Sequence, residues 1–212
     1  MKKYLDEDFI FIPYCRPGFT LTMEIKKLIL PSTNILILEN HGLIVAGDDI
    51  EDTYKLLLKI HKKLDLIRNE KLAFDYLEEI TNIDGYNHKN TDKYKLFSTQ
   101  DEKLFSLFPK SFYPDHVIFL GPGIPTFLEE KEANEFIQNL KRKNIDLPPY
   151  LILKYKGLFE NTLAIPAAKE MIDCFLEVLL RIDLSKSLKF LSSQQESELL
   201  NWDIEIYRQS IN

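Results

Sequence analysis

Apolar runs alternate with amphipathic stretches along most of this chain. Phe9 to Pro13 is apolar and reads as extended, and Arg16-Pro17-Gly18 turns the chain. Thr20 or Thr22 can cap a short helix through about Leu30, with Leu21, Ile25, Leu28 and Ile29 on one face. Pro31 ends it, because a proline pushes the residue before it out of the helical region. Ile35-Leu36-Ile37-Leu38 is apolar at every position, the pattern of a strand covered on both sides. After a tight connection at Asn40-His41-Gly42, Leu43 to Ala46 reads as the returning strand. Asp48 and Glu51 stand at capping-box spacing. The helix they open carries Ile50, Tyr54, Leu57, Leu58, His61 and Leu64 at offsets 0, 4, 7, 8, 11 and 14, one helical stripe whose opposite face is rich in Lys and Asp.

Residues 81 to 101 are polar and read as a loop or a boundary, and Phe105 to Phe112 is aromatic-rich and packs down. Val117 to Leu120 reads as a short strand stopped by Gly121-Pro122-Gly123. A helix covers roughly Glu129 to Lys143, Pro148-Pro149 breaks the chain, and Tyr150 to Tyr155 is a strand that Lys156-Gly157 turns into a hairpin with Leu158-Phe159-Glu160. Pro166 suits the first turn of a helix whose buried stripe is Ala168, Met171, Ile172, Phe175, Leu179 and Ile182. A last helix spans about Gln194 to Tyr207. Strands alternating with helices give the α/β class. The hairpin spacing at His41 favours a mixed or antiparallel sheet.

With 45% apolar residues over 212 positions the chain can bury a sizeable core. The net charge of −6, with no basic run interleaved with aromatics, argues against a nucleic-acid partner. Lys141-Arg142-Lys143 lies late in its helix, where cations suit the negative end of the dipole. Two cysteines, Cys15 and Cys174, form no metal or redox motif and no disulfide framework. The acidic start offers no signal-like apolar run, and no stretch reaches membrane-spanning length. A soluble, reducing, cytoplasmic setting without a membrane partner is the expectation.

Candidate chemistry centres on His41. Fixed between two strands, it suits a metal ligand, whose ring direction packing would hold. A corner histidine bonded to its own loop is the structural alternative. His61, on the apolar stripe, reads as a core or interface histidine, and His88 as solvated in the polar loop. His116 follows Asp115, but neighbours in an extended segment point to opposite faces, against a catalytic pair. Gly121-Pro122-Gly123 reads as a turn, since proline lacks the N–H a phosphate cradle needs. No phosphate-loop, dinucleotide or hydrolase-serine pattern occurs.

Pro13-Tyr14, Pro17-Gly18, Leu38-Glu39-Asn40-His41-Gly42-Leu43-Ile44-Val45-Ala46-Gly47 and the opening Asp49-Ile50-Glu51-Asp52 together resemble the second half of a class II aldolase/adducin domain, over residues 11 to 68. Tyr113 to Pro122 and Asn201 to Gln209 resemble the C-terminal extension of a longer bacterial subgroup, related to the aldolase part of sugar-phosphate aldolase/dehydrogenase fusions. The resemblance implies a partial three-layer α/β/α domain over residues 1–80, followed by an α+β extension over 81–212, and usually a homotetramer. It implies a divalent metal, commonly zinc, held by three histidines, with retro-aldol cleavage of a phosphorylated ketose. His41 matches the third metal histidine. The family's other two form a His-x-His pair upstream of the Pro-Tyr segment, together with its phosphate loops, catalytic carboxylate and tyrosine. These 212 residues contain no His-x-His.

The sequence therefore reads as the C-terminal part of a class II aldolase-like protein, catalytically silent unless another polypeptide supplies the missing N-terminal half. A second reading is a non-enzymatic interaction or scaffold module of adducin-head type, with a homo-oligomer or other partner on the apolar stripe of Tyr54 and His61. A third, a complete small enzyme rebuilt from His41 and His116, requires those two rings to meet.

Overall fold

The computed structural model describes residues 5–65, 82–203 and 207. The chain divides into two compact units, Met1–Arg68 and Asn69–Asn212. The boundary expected at 80/81 lies outside the described residues, and the last helix, expected to run to about Tyr207, ends at Leu200 with Asn201 as its C-cap.

The first unit is a three-layer sandwich. Strand β1 (Ile10–Ile12) lies parallel to β2 (Ile35–Leu38), and β2 lies antiparallel to β3 (Gly42–Val45), giving a mixed sheet of order β1-β2-β3. The alternation of side chains along β2 explains why it is apolar throughout. Leu36 and Leu38 pack with Ile12, Ile10, Leu21 and Ile25 beneath helix α1 (Phe19–Leu28). Ile35 and Ile37 pack with Leu5, Phe9, Val45, Leu56, Ile60 and Leu64 beneath helix α2 (Ile50–Asp65).

Four expectations are corrected here. Helix α1 starts after Gly18 without a side-chain cap, and the Thr22 hydroxyl instead donates to the Gly18 carbonyl at 3.1 Å. Leu28 and Ile29 on its expected buried face are exposed. Helix α2 is capped by Asp49, whose carboxylate accepts from the Asp52 N–H at 2.7 Å, rather than by Asp48. Its covered face is Leu56-Ile60-Leu64 (with Ile60 fully buried), not the longer stripe through Tyr54 and His61.

A carboxylate clamp ties the start of the chain to α2. Glu7 is held by Lys59 at 2.7 Å and Lys63 at 3.0 Å, which lower its pKa to about 2. The clamp seats Leu5 in the core under α2.

The second unit is built on a four-stranded mixed sheet of order β4-β7-β6-β5. Its strands are β4 (Tyr86–His88), β5 (Thr126–Phe127), β6 (Tyr150–Leu153) and β7 (Gly157–Asn161); β5 runs parallel to β6 and the other pairs are antiparallel. Every β6 residue is buried, because helices cover both faces. On one side Tyr150, Ile152 and Leu158 join a core with Phe97, Phe108, Phe112 and Phe175. That core is closed by the 3-10 helix Asp92–Ser98, helix α3 (Glu102–Phe105), helix α4 (Pro114–Leu120) and helix α6 (Pro166–Leu179). On the other side Leu151, Leu153 and Phe159 meet Ala133 and Ile137 of helix α5 (Glu130–Arg142). Helix α7 (Ser193–Leu200), capped by Ser192, packs against α4.

The stretch expected as a loop at 81–101 holds β4 and the 3-10 helix, and residue 81 lies outside the described set. Val117–Leu120 is part of helix α4, not a strand. Pro114 occupies its first turn, where the missing N–H costs nothing, and Gly121 ends it at φ 92°. Gly121-Pro122-Gly123 is a structural turn, as expected. A Cβ on Gly123 would lie 2.5 Å from the Pro109 carbonyl, and Ile124 N–H donates to Phe108 O at 3.0 Å.

Candidate functional site

The corner between β2 and β3 is the part of the first unit where backbone geometry fixes a chemically useful side chain. His41 N–H donates to the Leu38 carbonyl at 3.2 Å, closing a tight turn with Asn40 at φ 51°. Asparagine tolerates that left-handed conformation better than most residues with a side chain. Beyond the turn the hairpin register pairs Leu38 with Gly42 and Ile35 with Val45, and Ala46 N–H donates to Asn34 O at 2.9 Å. Gly47 then sits where a Cβ would come within 2.7 Å of the Thr53 hydroxyl, so the entry to α2 demands glycine.

Glu39 anchors this corner, a role its sequence position did not reveal. Its N–H donates to Ile12 O at 2.9 Å, and its carboxylate accepts from the Tyr14 N–H at 3.1 Å. The Pro13-Tyr14 segment is thereby tied to the turn that carries His41. The recognisable signal was the Pro-Tyr segment and the Glu-Asn-His-Gly corner occurring together, which are neighbours in space although about 25 residues apart.

The His41 side chain is exposed. Among the described residues no group of three or more His, Cys, Asp or Glu side chains is arranged to hold a metal ion. A catalytic zinc needs three protein ligands around an open position. The described residues therefore do not fit, by themselves, the divalent metal that the resemblance implies.

The other histidines do not complete a cage. His61 is exposed on α2, not a core histidine. His88 is not a solvated loop residue: it sits on β4, its Nε2 lies 2.7 Å from the Lys156 carbonyl oxygen, and its ring stacks on Phe159 at 4.6 Å. His116 is fully buried in the second unit. Its ring is packed by Phe112, Tyr113 and Phe175, with centroids 6.1, 5.6 and 4.7 Å away. Both of its nitrogens are buried with no hydrogen-bond partner among the described residues, and burial pushes its pKa down to about 3. Asp115 and His116 lie side by side on α4 rather than on an extended segment. A ring sealed in an aromatic core cannot ligate beside His41, and the rebuilt-enzyme reading fails on this point.

Residues 1–66 match the family described as the Class II Aldolase and Adducin N-terminal domain. Among curated proteins, the Uncharacterized oxidoreductase YuxG of Bacillus subtilis (strain 168) is 30% identical over 66 residues, which are 30% of this chain and 10% of that protein. The match thus spans about a tenth of the relative's length. No solved structure matches. Among the described residues, no helix is long and apolar enough to cross a membrane. The matched segment coincides with the sandwich that carries the Pro-Tyr segment, the Glu39 anchor and the His41 corner, and it is over these residues that the chain is similar to the class II aldolase/adducin family.

Proposed function

We propose that this chain contributes one ligand, His41, to a class II aldolase-type metal centre whose remaining ligands come from outside its own 212 residues. The activity in question is metal-dependent retro-aldol cleavage of a phosphorylated sugar, with zinc as the favoured ion and a cytoplasmic setting. Alone, the chain is inactive. The observation that carries this reading is the corner: an exposed imidazole on a turn anchored by Glu39, with no group of three or more His, Cys, Asp or Glu side chains among the described residues arranged to hold a metal ion. One imidazole does not hold a catalytic ion, because affinity comes from several fixed ligands acting together.

The test is reconstitution. A family polypeptide that carries a His-x-His segment is mixed or co-expressed with this chain, and cleavage of phosphorylated ketoses is assayed with added zinc. The expected result is activity in the mixture only, lost with His41→Ala in this chain. Activity of the isolated chain, or a mixture indifferent to His41→Ala, would overturn the proposal.

A second reading, a non-enzymatic interaction module of adducin-head type, is favoured by one observation. Helix α2 leaves Ile50, Tyr54, Leu57 and Leu58 exposed along one face.

A further inference from the structure

The two units share one plan, and their hydrogen bonds repeat at a constant interval. In the first, β1 lies parallel to β2, a hairpin carries β2 into antiparallel β3, and α2 follows; in the second, β5, β6, β7 and α6 do the same. Ile35–Leu38 and Tyr150–Leu153 stand 115 residues apart, and that interval holds throughout. Ile12 pairs with Leu38, and Phe127 with Leu153. The Glu39 N–H donates to Ile12 O at 2.9 Å, and the Lys154 N–H to Phe127 O at 2.9 Å. The hairpin closes from His41 N–H to Leu38 O at 3.2 Å and from Lys156 N–H to Leu153 O at 3.1 Å, with Asn40 at φ 51° and Tyr155 at φ 65°. Leu56, Ile60 and Leu64, the core stripe of α2, answer to Met171, Phe175 and Leu179 of α6. A slip of one residue would turn every strand side chain to the wrong face, so agreement in register over three strands and a helix marks a repeated module rather than a general likeness.

The units differ at the corner and at one sheet edge. Lys156 stands at the place of His41, and its carbonyl oxygen lies 2.7 Å from His88 Nε2; Lys154, at the place of Glu39, is paired with Glu102. At the edge, β7 is covered by β4, whereas among the described residues no strand pairs with the outer side of β3. Ala46 N–H donates to Asn34 O, so the Ile35–Val45 pair is the kind whose backbone groups point away from the neighbouring strand. Val45 and, two residues back, Leu43 therefore present their N–H and C=O groups to the free edge. In the second unit that edge is used: Leu158 O, at the place of Leu43, accepts from the Lys89 N–H at 2.9 Å. Burial follows the same contrast. Leu43 and Ile44 are 36% and 38% exposed, while Leu158 and Phe159 are 1% and 0% exposed.

We propose that the second unit is a second copy of the first unit's module, with lysine in place of the corner histidine, and that the bare outer edge of β3 accepts an added antiparallel strand from another polypeptide, in the register in which β7 accepts β4. The second copy shows the chemistry of what fits. It is an extended segment with ring-bearing side chains at the places of Tyr86 and His88, which cover Ile44 as those two cover Phe159. Its main chain satisfies the free groups of Leu43 and Val45, and its alternate side chains set the register. An uncovered strand edge flanked by apolar side chains is a template for such pairing. Neither part depends on the metal-centre reading.

The experiment follows backbone amide exchange by NMR in the full chain, alone and with a synthetic peptide of residues Ile83–Thr91, the segment that carries β4. A scrambled peptide of the same composition is the control. Alone, the Leu43 and Val45 amides should exchange fast and those of Leu158 and Glu160 slowly. The β4 peptide at millimolar concentration should slow Leu43 and Val45 at least about tenfold and leave Leu158 and Glu160 unchanged. Val45→Pro removes an outward N–H without touching the β2 ladder and should abolish the effect. Ile44→Ser keeps the backbone intact, so it serves where the proline variant does not fold, and should weaken the effect at least about threefold. Slow Leu43 and Val45 amides in the chain alone, no slowing by the β4 peptide, an equal effect of the scrambled peptide, or binding indifferent to Ile44→Ser would overturn the acceptor edge. An experimental structure in which the two hairpins align at an interval other than 115 would overturn the repeated module.

Discussion

Acid should loosen the second unit through one residue, His116. In the folded chain its imidazole is sealed by Phe112, Tyr113 and Phe175 with neither nitrogen hydrogen-bonded, and its pKa falls from 6.5 to about 3. Unfolding restores the ordinary value. Between those two pH values the unfolded state binds the extra proton, so stability rises with pH. The contribution is fully present above about pH 6.5 and is lost progressively as pH falls toward 3. A shift of this size corresponds to about 5 kcal/mol in total, at about 1.4 kcal/mol per pH unit. Between pH 6.5 and 5 the loss is about 1.5 kcal/mol. That window lies above the ordinary carboxylate range, so acidic groups contribute little to it. Trp202, the single tryptophan of the chain, follows α7, which packs on α4, and reports this unit. Urea midpoints from its fluorescence at pH 7.5, 6.5 and 5 would be compared with those of His116→Leu. The leucine removes two unsatisfied nitrogens at similar volume, so the variant should be at least as stable at pH 5 and should lose this share of the pH dependence. Equal slopes for the two proteins between pH 6.5 and 5, or an NMR titration of His116 centred near 6.5, would refute a neutral, sealed imidazole.

Further predictions concern the corner and its supports. Glu39→Ala should speed hydrogen exchange at the Tyr14 amide and cost about 1–2 kcal/mol, since it removes a charged acceptor of a backbone N–H; an unchanged exchange rate would contradict the anchoring role. Gly123→Ala should lower the melting temperature markedly, by about 2 kcal/mol or more, because φ is 78° and the new Cβ meets the Pro109 carbonyl at 2.5 Å. Glu7→Gln should remove stability from the first unit, on the order of 1 kcal/mol for a clamp with solvent access. Because the Glu7 pKa is lowered from 4.5 to about 2, the wild-type advantage should be present above about pH 4.5 and vanish as pH falls toward 2, read by amide exchange in α2.

The hairpin and its histidine corner were legible because two signals agreed there: an uninterrupted apolar run, which alternates onto two covered faces in β2, and a short polar connection with Asn and Gly where a tight turn needs them. The α6 stripe was legible for a similar reason, since Ala168, Ile172, Phe175 and Leu179 share a single apolar face. Helix α2 was legible as a helix but not for orientation. With two apolar stripes, periodicity cannot say which one meets the sheet. Val117–Leu120 misled because a run of four apolar residues has no readable period, whereas Pro114 and Gly121 at its flanks carried the helix signal. Residues 82–101 misled through polarity. Their few anchors, Tyr86, Leu96 and Phe97, are buried from a polar background. The Glu39 anchor joins residues far apart in sequence, and nothing local announces it.

The central claim is that His41 is a lone imidazole in this polypeptide. Titrating the purified chain with zinc, by calorimetry and by metal analysis after dialysis, tests it most directly. The account predicts no stoichiometric ion retained and no change in that result with His41→Ala. One tightly held zinc per chain, lost on His41→Ala, would contradict it.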